Sequence, residues 1–344
     1  MTSRRRRLGI SALAVCGLLV GICSALVAAR AATRSASEAP FSSDIPSRIV
    51  QFADVKLRLI YDPKAFSLPD REIDEWVLRS ARATAAFFGR FPARDVTIAI
   101  QAGKGRDVQE GEATWDPKPR IRILLGRDTS SAQLKHNSTM VHEMAHLGFP
   151  DMDDAHLWLH EGLATYVEAV ARAQAREIQP AQMWGWLAYI AKQGLPSEDE
   201  KSGLERTADE DRRYYGGALF WLSADIEIRK RTSNRYGVRD AIRAISNAGG
   251  NLAVDWTPQQ ALRIGDEAVG VPVLNELFAT WRKKPVAPDL AALWQSLGVE
   301  ADGVKTRLVN SAPLADIRRA ITAQPTTPVL LRQPSLLYEA QSRQ

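Results

Sequence analysis

The stretch Val141-His142-Glu143-Met144-Ala145-His146-Leu147 constrains this chain more than any other, because two imidazoles stand four residues apart in a run without glycine or proline. On an α-helix, residues i and i+4 project from one face about one turn apart, so this spacing suits two ring nitrogens gripping one metal ion. Glu143 is turned aside from the ligand line, where a carboxylate can take a proton from a water attacking a carbonyl. Ser138 stands where a helix cap is expected. Taken bare, the pattern also has a bland reading, a polar helix face on which both histidines only hydrogen-bond.

A third ligand decides between these readings. All five histidines fall between positions 136 and 160, and fifteen residues after His146 comes Glu161, set in Trp158-Leu159-His160-Glu161-Gly162-Leu163-Ala164-Thr165-Tyr166. The metzincin pattern would need glycine at 149 and histidine at 152, where the chain has Phe149 and Met152. A glutamate near the start of a second helix is the gluzincin solution, and Glu161 opens an apolar helix expected to run to about Ala173. The loop between the two helices is short enough to fold one against the other. His156 and His160 are near as well, so a fourth protein ligand, which would close the site and make it structural, stays open. Glu168, seven residues after Glu161 on the same face, is either an acceptor for one histidine's far ring nitrogen or a solvated acid.

The Trp158–Tyr166 stretch resembles the Trp-Leu-x-Glu-Gly-Phe-Ala signature of the aminopeptidase N and glycyl aminopeptidase families, gluzincin-type zinc metallopeptidases. The resemblance implies a thermolysin-like body holding one Zn2+ on His142, His146 and Glu161, with Glu143 as base and a peptide or protein as substrate. The same families carry a Tyr-x-Lys-Gly-Ala motif whose tyrosine donates to the oxyanion. Its match at Tyr214-Tyr215-Gly216-Gly217-Ala218 points to Tyr214, or to Tyr215 if the register shifts, with Gly216 where the motif has lysine. The bland alternative is an aromatic pair packed in the core. Upstream, Gly111-Glu112-Ala113-Thr114-Trp115 resembles an edge strand that binds peptide backbone. The glutamate that clasps a free substrate amine in aminopeptidase N falls at Thr114; Glu112 substitutes only if the strand is differently aligned, and otherwise reads as a solvated turn acid. Endopeptidase and aminopeptidase activity both stay open, and a non-catalytic, membrane-tethered module retaining a structural zinc is the rival from another class.

Charge and cysteines narrow the setting. The five arginines among residues 1–31, with no acid beside them, account for the whole formal excess of +5, so nucleic acid is not an expected partner. Four arginines, an uncharged stretch of 22 residues from Leu8 to Ala29 and a small-residue patch read as a signal peptide or N-terminal membrane anchor over 1–31. Either outcome exports the remainder to a periplasmic or extracellular location. Both cysteines, Cys16 and Cys23, lie in this segment, so the exported part has neither disulfides nor cysteine ligands.

The chain reads as α+β, a small mixed sheet region followed by a mainly helical body. A linker over 32–47 leads to a β-rich part over 48–128 and a helical part with the zinc site over 129–285. A C-terminal helical segment with a partly disordered tail follows over 286–344. The first part is expected to hold a strand over 49–61, a helix over 69–88 burying Ile73, Trp76, Val77, Ala81 and Phe88, a strand over 96–100 and a hairpin across Asp116-Pro117-Lys118-Pro119. Tryptophans 184, 186, 221 and 281 read as core.

Overall fold

The computed structural model describes residues 47–52, 54–302, 305–325 and 335–337. The expected signal or anchor, the expected linker apart from Ser47, and most of the proline-rich end lie outside these residues. Among the described residues no helix is long and apolar enough to cross a membrane.

Val50 shares one core with Val55, Leu57 and Leu59, so the alternation facing that core changes parity between positions 50 and 55. A strand carried straight through would turn one set to the wrong face. The chain turns instead. β1 (Ser47–Phe52) and β2 (Val55–Ile60) form an antiparallel hairpin that pairs Phe52 with Val55, in place of the one strand expected over 49–61. α1 (Asp70–Phe88) then crosses to β3 (Asp95–Gly103), which lies parallel to β2. The expected face of α1 is buried together with Thr84, whose hydroxyl donates to the Ser80 carbonyl. β4 (Val108–Trp115) and β5 (Pro119–Gly126) form the expected hairpin, and β5 runs parallel to β3.

The helical body follows as α2 (Ser131–His136), α3 (Thr139–His146), α4 (Leu157–Gln174), α5 (Pro180–Gln193), α6 (Gly217–Arg231), α7 (Val238–Asn247), α8 (Pro258–Val269), α9 (Val273–Trp281), α10 (Leu290–Leu297) and α11 (Ala315–Thr322). β6 (Val299–Asp302) and β7 (Lys305–Leu308) pair between the last two helices. β8 (Ser335–Leu337) returns to the first sheet beside β1, giving the order β4-β5-β3-β2-β1-β8. Trp184, Trp221 and Trp281 are buried and Trp186 packs against the same core.

Two cores meet at the helix carrying the paired histidines. Met140 and Met144 of α3, and Leu147 just after it, pack with the sheet and α1, whereas Val141 and Ala145 pack with the helical body. α4 is buried on every side from Trp158 to Gln174, as expected of a helix apolar around most of its circumference. The segment beyond 286 packs against the same helices. Leu297, Val299, Ile317 and Ile321 join the helical core, and the buried Arg318 guanidinium donates to the carbonyls of Leu297, Gly298 and Val309 at 2.8–2.9 Å.

Candidate metal centre

With two faces of α3 committed to the two cores, His142 and His146 share the third, turned toward α4. The turn before α3 is held by Asn137, whose side-chain oxygen accepts from the Thr139 N–H at 3.0 Å; Ser138, the expected cap, makes no side-chain cap bond. Glu161 lies in the second turn of α4. Its Oε2 stands 3.1 Å from His142 Nε2 and 3.3 Å from His146 Nε2. The three residues thus form a group able to hold a metal ion, with donor atoms all within 4.8 Å of one another.

These distances fit zinc. Ligands about 2.0–2.1 Å from a tetrahedral ion lie about 3.3 Å apart, and two imidazoles with one carboxylate are a zinc donor set that keeps a fourth position open. The site's electrostatics also favour a cation. Burial pushes the His142 imidazole down, but its contacts with Glu161 and Glu168 and the nearby Glu143 charge outweigh this and hold it well above its ordinary value. Burial pushes Glu161 up, yet His146 and His142 hold it well below the usual carboxylate range.

Glu168 is no solvated acid. It is buried, and its Oε2 lies 3.2 Å from His142 Nδ1, on the side of the ring away from Glu161. Glu143 is buried on the side of α3 toward the sheet. It lies against the backbone of β4, where a β-carbon added to Gly111 would stand 2.5 Å from Glu143 Oε1. The Glu143 carboxylate is therefore wedged between the ligand face of α3 and the edge strand.

Tyr214 is brought to the same place, its ring stacked near that of His142 at 6.1 Å between centroids and 19° between planes. It belongs to a π-helical turn, Arg212–Gly216, which leads directly into α6. Tyr215 packs against the helical core. Gly216, the departure from the family motif, faces Gly194: a β-carbon there would meet the Gly194 carbonyl oxygen at 2.9 Å. The Gly216-Gly217 pair was the visible signal for this close packing, and it carried no sign of the π-turn itself.

Thr114 is exposed, and Glu112 pairs with Arg122 at 3.1 Å across the β4–β5 ladder. His156 lies between Asp153 at 2.5 Å and Glu205 at 3.3 Å, outside the ligand group. His160 is also outside it. Its ring lies 4.5 Å from that of His146 with the planes 4° from parallel. Ring nitrogen lone pairs lie in the ring plane, so an ion in the plane of His146 is outside the plane of His160.

No protein-family model matches the chain, and no curated protein matches it. Among solved structures it is similar to an aminopeptidase N family protein from Idiomarina loihiensis, with 15% identity and a TM-score of 0.57 over 74% of this chain and 49% of that one. It is also similar to an M1 zinc metallopeptidase from Deinococcus radiodurans, with 18% identity and a TM-score of 0.46 over 70% and 51% of the two chains. A further similar structure is aminopeptidase A from Legionella pneumophila, with 17% identity and a TM-score of 0.48 over 70% and 28%. The chain spans about half the length of the first two and less of the third. The described residues share their α+β fold with part of the Idiomarina loihiensis protein.

Proposed function

We propose that this chain is a gluzincin-type zinc metallopeptidase that hydrolyses peptide bonds, related to the aminopeptidase N and glycyl aminopeptidase families and thermolysin-like in its helical body. The observation that carries the reading is the convergence of His142 Nε2 and His146 Nε2 on Glu161 Oε2, with the buried Glu143 carboxylate alongside. Zinc bound by these three residues supplies Lewis acidity, polarising the scissile carbonyl and making water a better nucleophile at neutral pH.

The remaining steps belong to the protein's own groups. Glu143 accepts a proton as water oxygen bonds to the carbonyl carbon, then delivers it to the amine nitrogen as the C–N bond breaks. The Tyr214 phenol donates to the oxyanion that develops on the carbonyl oxygen. Glu168 fixes the tautomer and tilt of His142. β4, an edge strand beside the base, offers its backbone to an extended substrate. The reading includes export across the cytoplasmic membrane, with or without an N-terminal anchor, on the strength of the sequence of residues 1–31.

The test is incubation of the zinc-loaded, full-length protein and its Glu143→Gln variant with a peptide library. Cleavage by the wild type, reduced roughly 10²–10⁴-fold in a variant that still binds zinc, is the expected result. Zinc bound by both proteins with cleavage by neither overturns the enzyme reading in favour of a binding module.

A further inference from the structure

The two histidine ligands are held in different ways. His142 has Glu168 behind it at 3.2 Å. His146 has no equivalent: its Nδ1 is buried and has no hydrogen-bond partner among the described residues. A ligand ring without such a partner is free to tilt about its side-chain bonds, and ligand orientation is a large part of metal affinity. What meets the His146 ring is the face of His160, at 4.5 Å and within 4° of parallel.

His160 is itself packed among other rings. It is buried, and Phe149 lies 6.0 Å from its ring at a tilt of 51°. Phe149 in turn abuts Trp221 edge-on at 6.0 Å, and the Trp221 indole donates to the Leu159 carbonyl at 2.9 Å, next to His160 in the chain. The stack therefore runs from His146 through two rings into the α4–α6 packing.

We propose that His160 is a positioning residue that fixes the plane of the His146 ring by face-to-face stacking, doing for the second histidine what Glu168 does for the first. It touches neither substrate nor metal, and the ring face, not a ring nitrogen, is the feature that acts. The proposal rests on the zinc-site reading above.

The test uses the full-length protein with His160→Phe, His160→Leu and His160→Ala. Zinc affinity is measured by competition with a chromogenic chelator, and ligand geometry by the visible absorption bands of the Co2+-loaded protein. His160→Leu and His160→Ala are expected to weaken zinc binding roughly 10–100-fold and to change the cobalt bands, while His160→Phe restores both toward wild type. Thermal unfolding of the metal-free proteins identifies any variant that has lost its fold. If His160→Ala does, the comparison of His160→Phe with His160→Leu, which fills the space without a ring face, decides alone. Zinc held as tightly by His160→Leu as by wild type, with unchanged cobalt bands, overturns the proposal. So does a His160→Phe protein as weak as His160→Leu, since a ring nitrogen would then be required. A wild-type protein that takes up no zinc is a separate outcome: it overturns the metallopeptidase reading, and is seen before any variant is compared.

Discussion

Gly162 and Gly217 meet backbone against backbone. A β-carbon on Gly162 would stand 2.3 Å from the Gly217 carbonyl carbon, and one on Gly217 would stand 2.2 Å from the Trp158 carbonyl oxygen. Gly162 follows the candidate ligand Glu161, and Gly217 lies three residues after Tyr214, so this contact sets how closely the tyrosine approaches the histidines. Gly217→Ala is expected to push α6 from α4, costing about 1–3 kcal/mol in chemical denaturation. It should also lower kcat toward the value for Tyr214→Phe. Wild-type stability in Gly217→Ala would show that the helices have room to slide.

Removing the carboxylate behind His142 tests whether it orients the ring. Glu168→Ala should weaken zinc binding roughly 10–100-fold in chelator competition, with peptide hydrolysis recovering at high zinc concentration. An unchanged affinity would return Glu168 to the role of a bystander.

Gly111 carries no unusual backbone angle, so alanine there is sterically costly only through its side chain. That side chain would stand 2.5 Å from Glu143 Oε1. Gly111→Ala should therefore displace the base and reduce kcat roughly 10²-fold or more while zinc content stays at one ion per chain. A variant with normal turnover would mean that the carboxylate finds an equally good position elsewhere.

On β4, Thr114 offers no charge and Glu112 is engaged by Arg122. Neither is a ready anchor for a substrate ammonium group. Acetylating the amino terminus of a cleaved peptide should change kcat/KM by less than about tenfold, the equivalent of 1.4 kcal/mol. Loss of cleavage on acetylation would establish a free-amine requirement and an anchor elsewhere in the protein.

Asp266 gives a pH signature of folding away from the site. Burial raises its carboxyl above the ordinary value, against hydrogen bonds from the Asn275 side chain and from the N–H groups of Asn275 and Leu274. A raised pKa means that the folded protein binds the proton more readily than the unfolded chain. Its contribution to stability therefore falls as pH rises from the ordinary carboxylate value through the raised one, and is level above it. The difference in unfolding free energy between wild type and Asp266→Asn should decline as pH rises above the ordinary carboxylate value, about 4. A rising difference would show that the hydrogen bonds outweigh burial.

Much of the site was legible because its chemistry is encoded locally. The i, i+4 spacing of His142 and His146 needs only a helix, and Glu161 could be placed by its setting in a second, apolar helix. The face of α1 was likewise readable from helical periodicity. What was not readable depends on pairs of distant segments. The β1–β2 turn is marked by a parity change, but the apolar residues around it looked like one strand. The wedge of Gly111 against Glu143 and the stack of His160 on His146 come from how three elements pack. The π-turn at Tyr214 lies beside close glycine contacts with α4 and with Gly194. A one-dimensional pattern shows those glycines without showing what they approach.

The sheet has two unequal margins. Among the described residues, β8 spans three residues beside β1 at one, and at the other β4 runs for eight residues and passes Glu143 at Gly111. The β4 margin presents a row of main-chain groups beside α3. Under the proposed function, an extended substrate pairing with β4 would have its direction and its depth relative to Glu143 set by that strand. The sheet acts as a ruler as much as a scaffold.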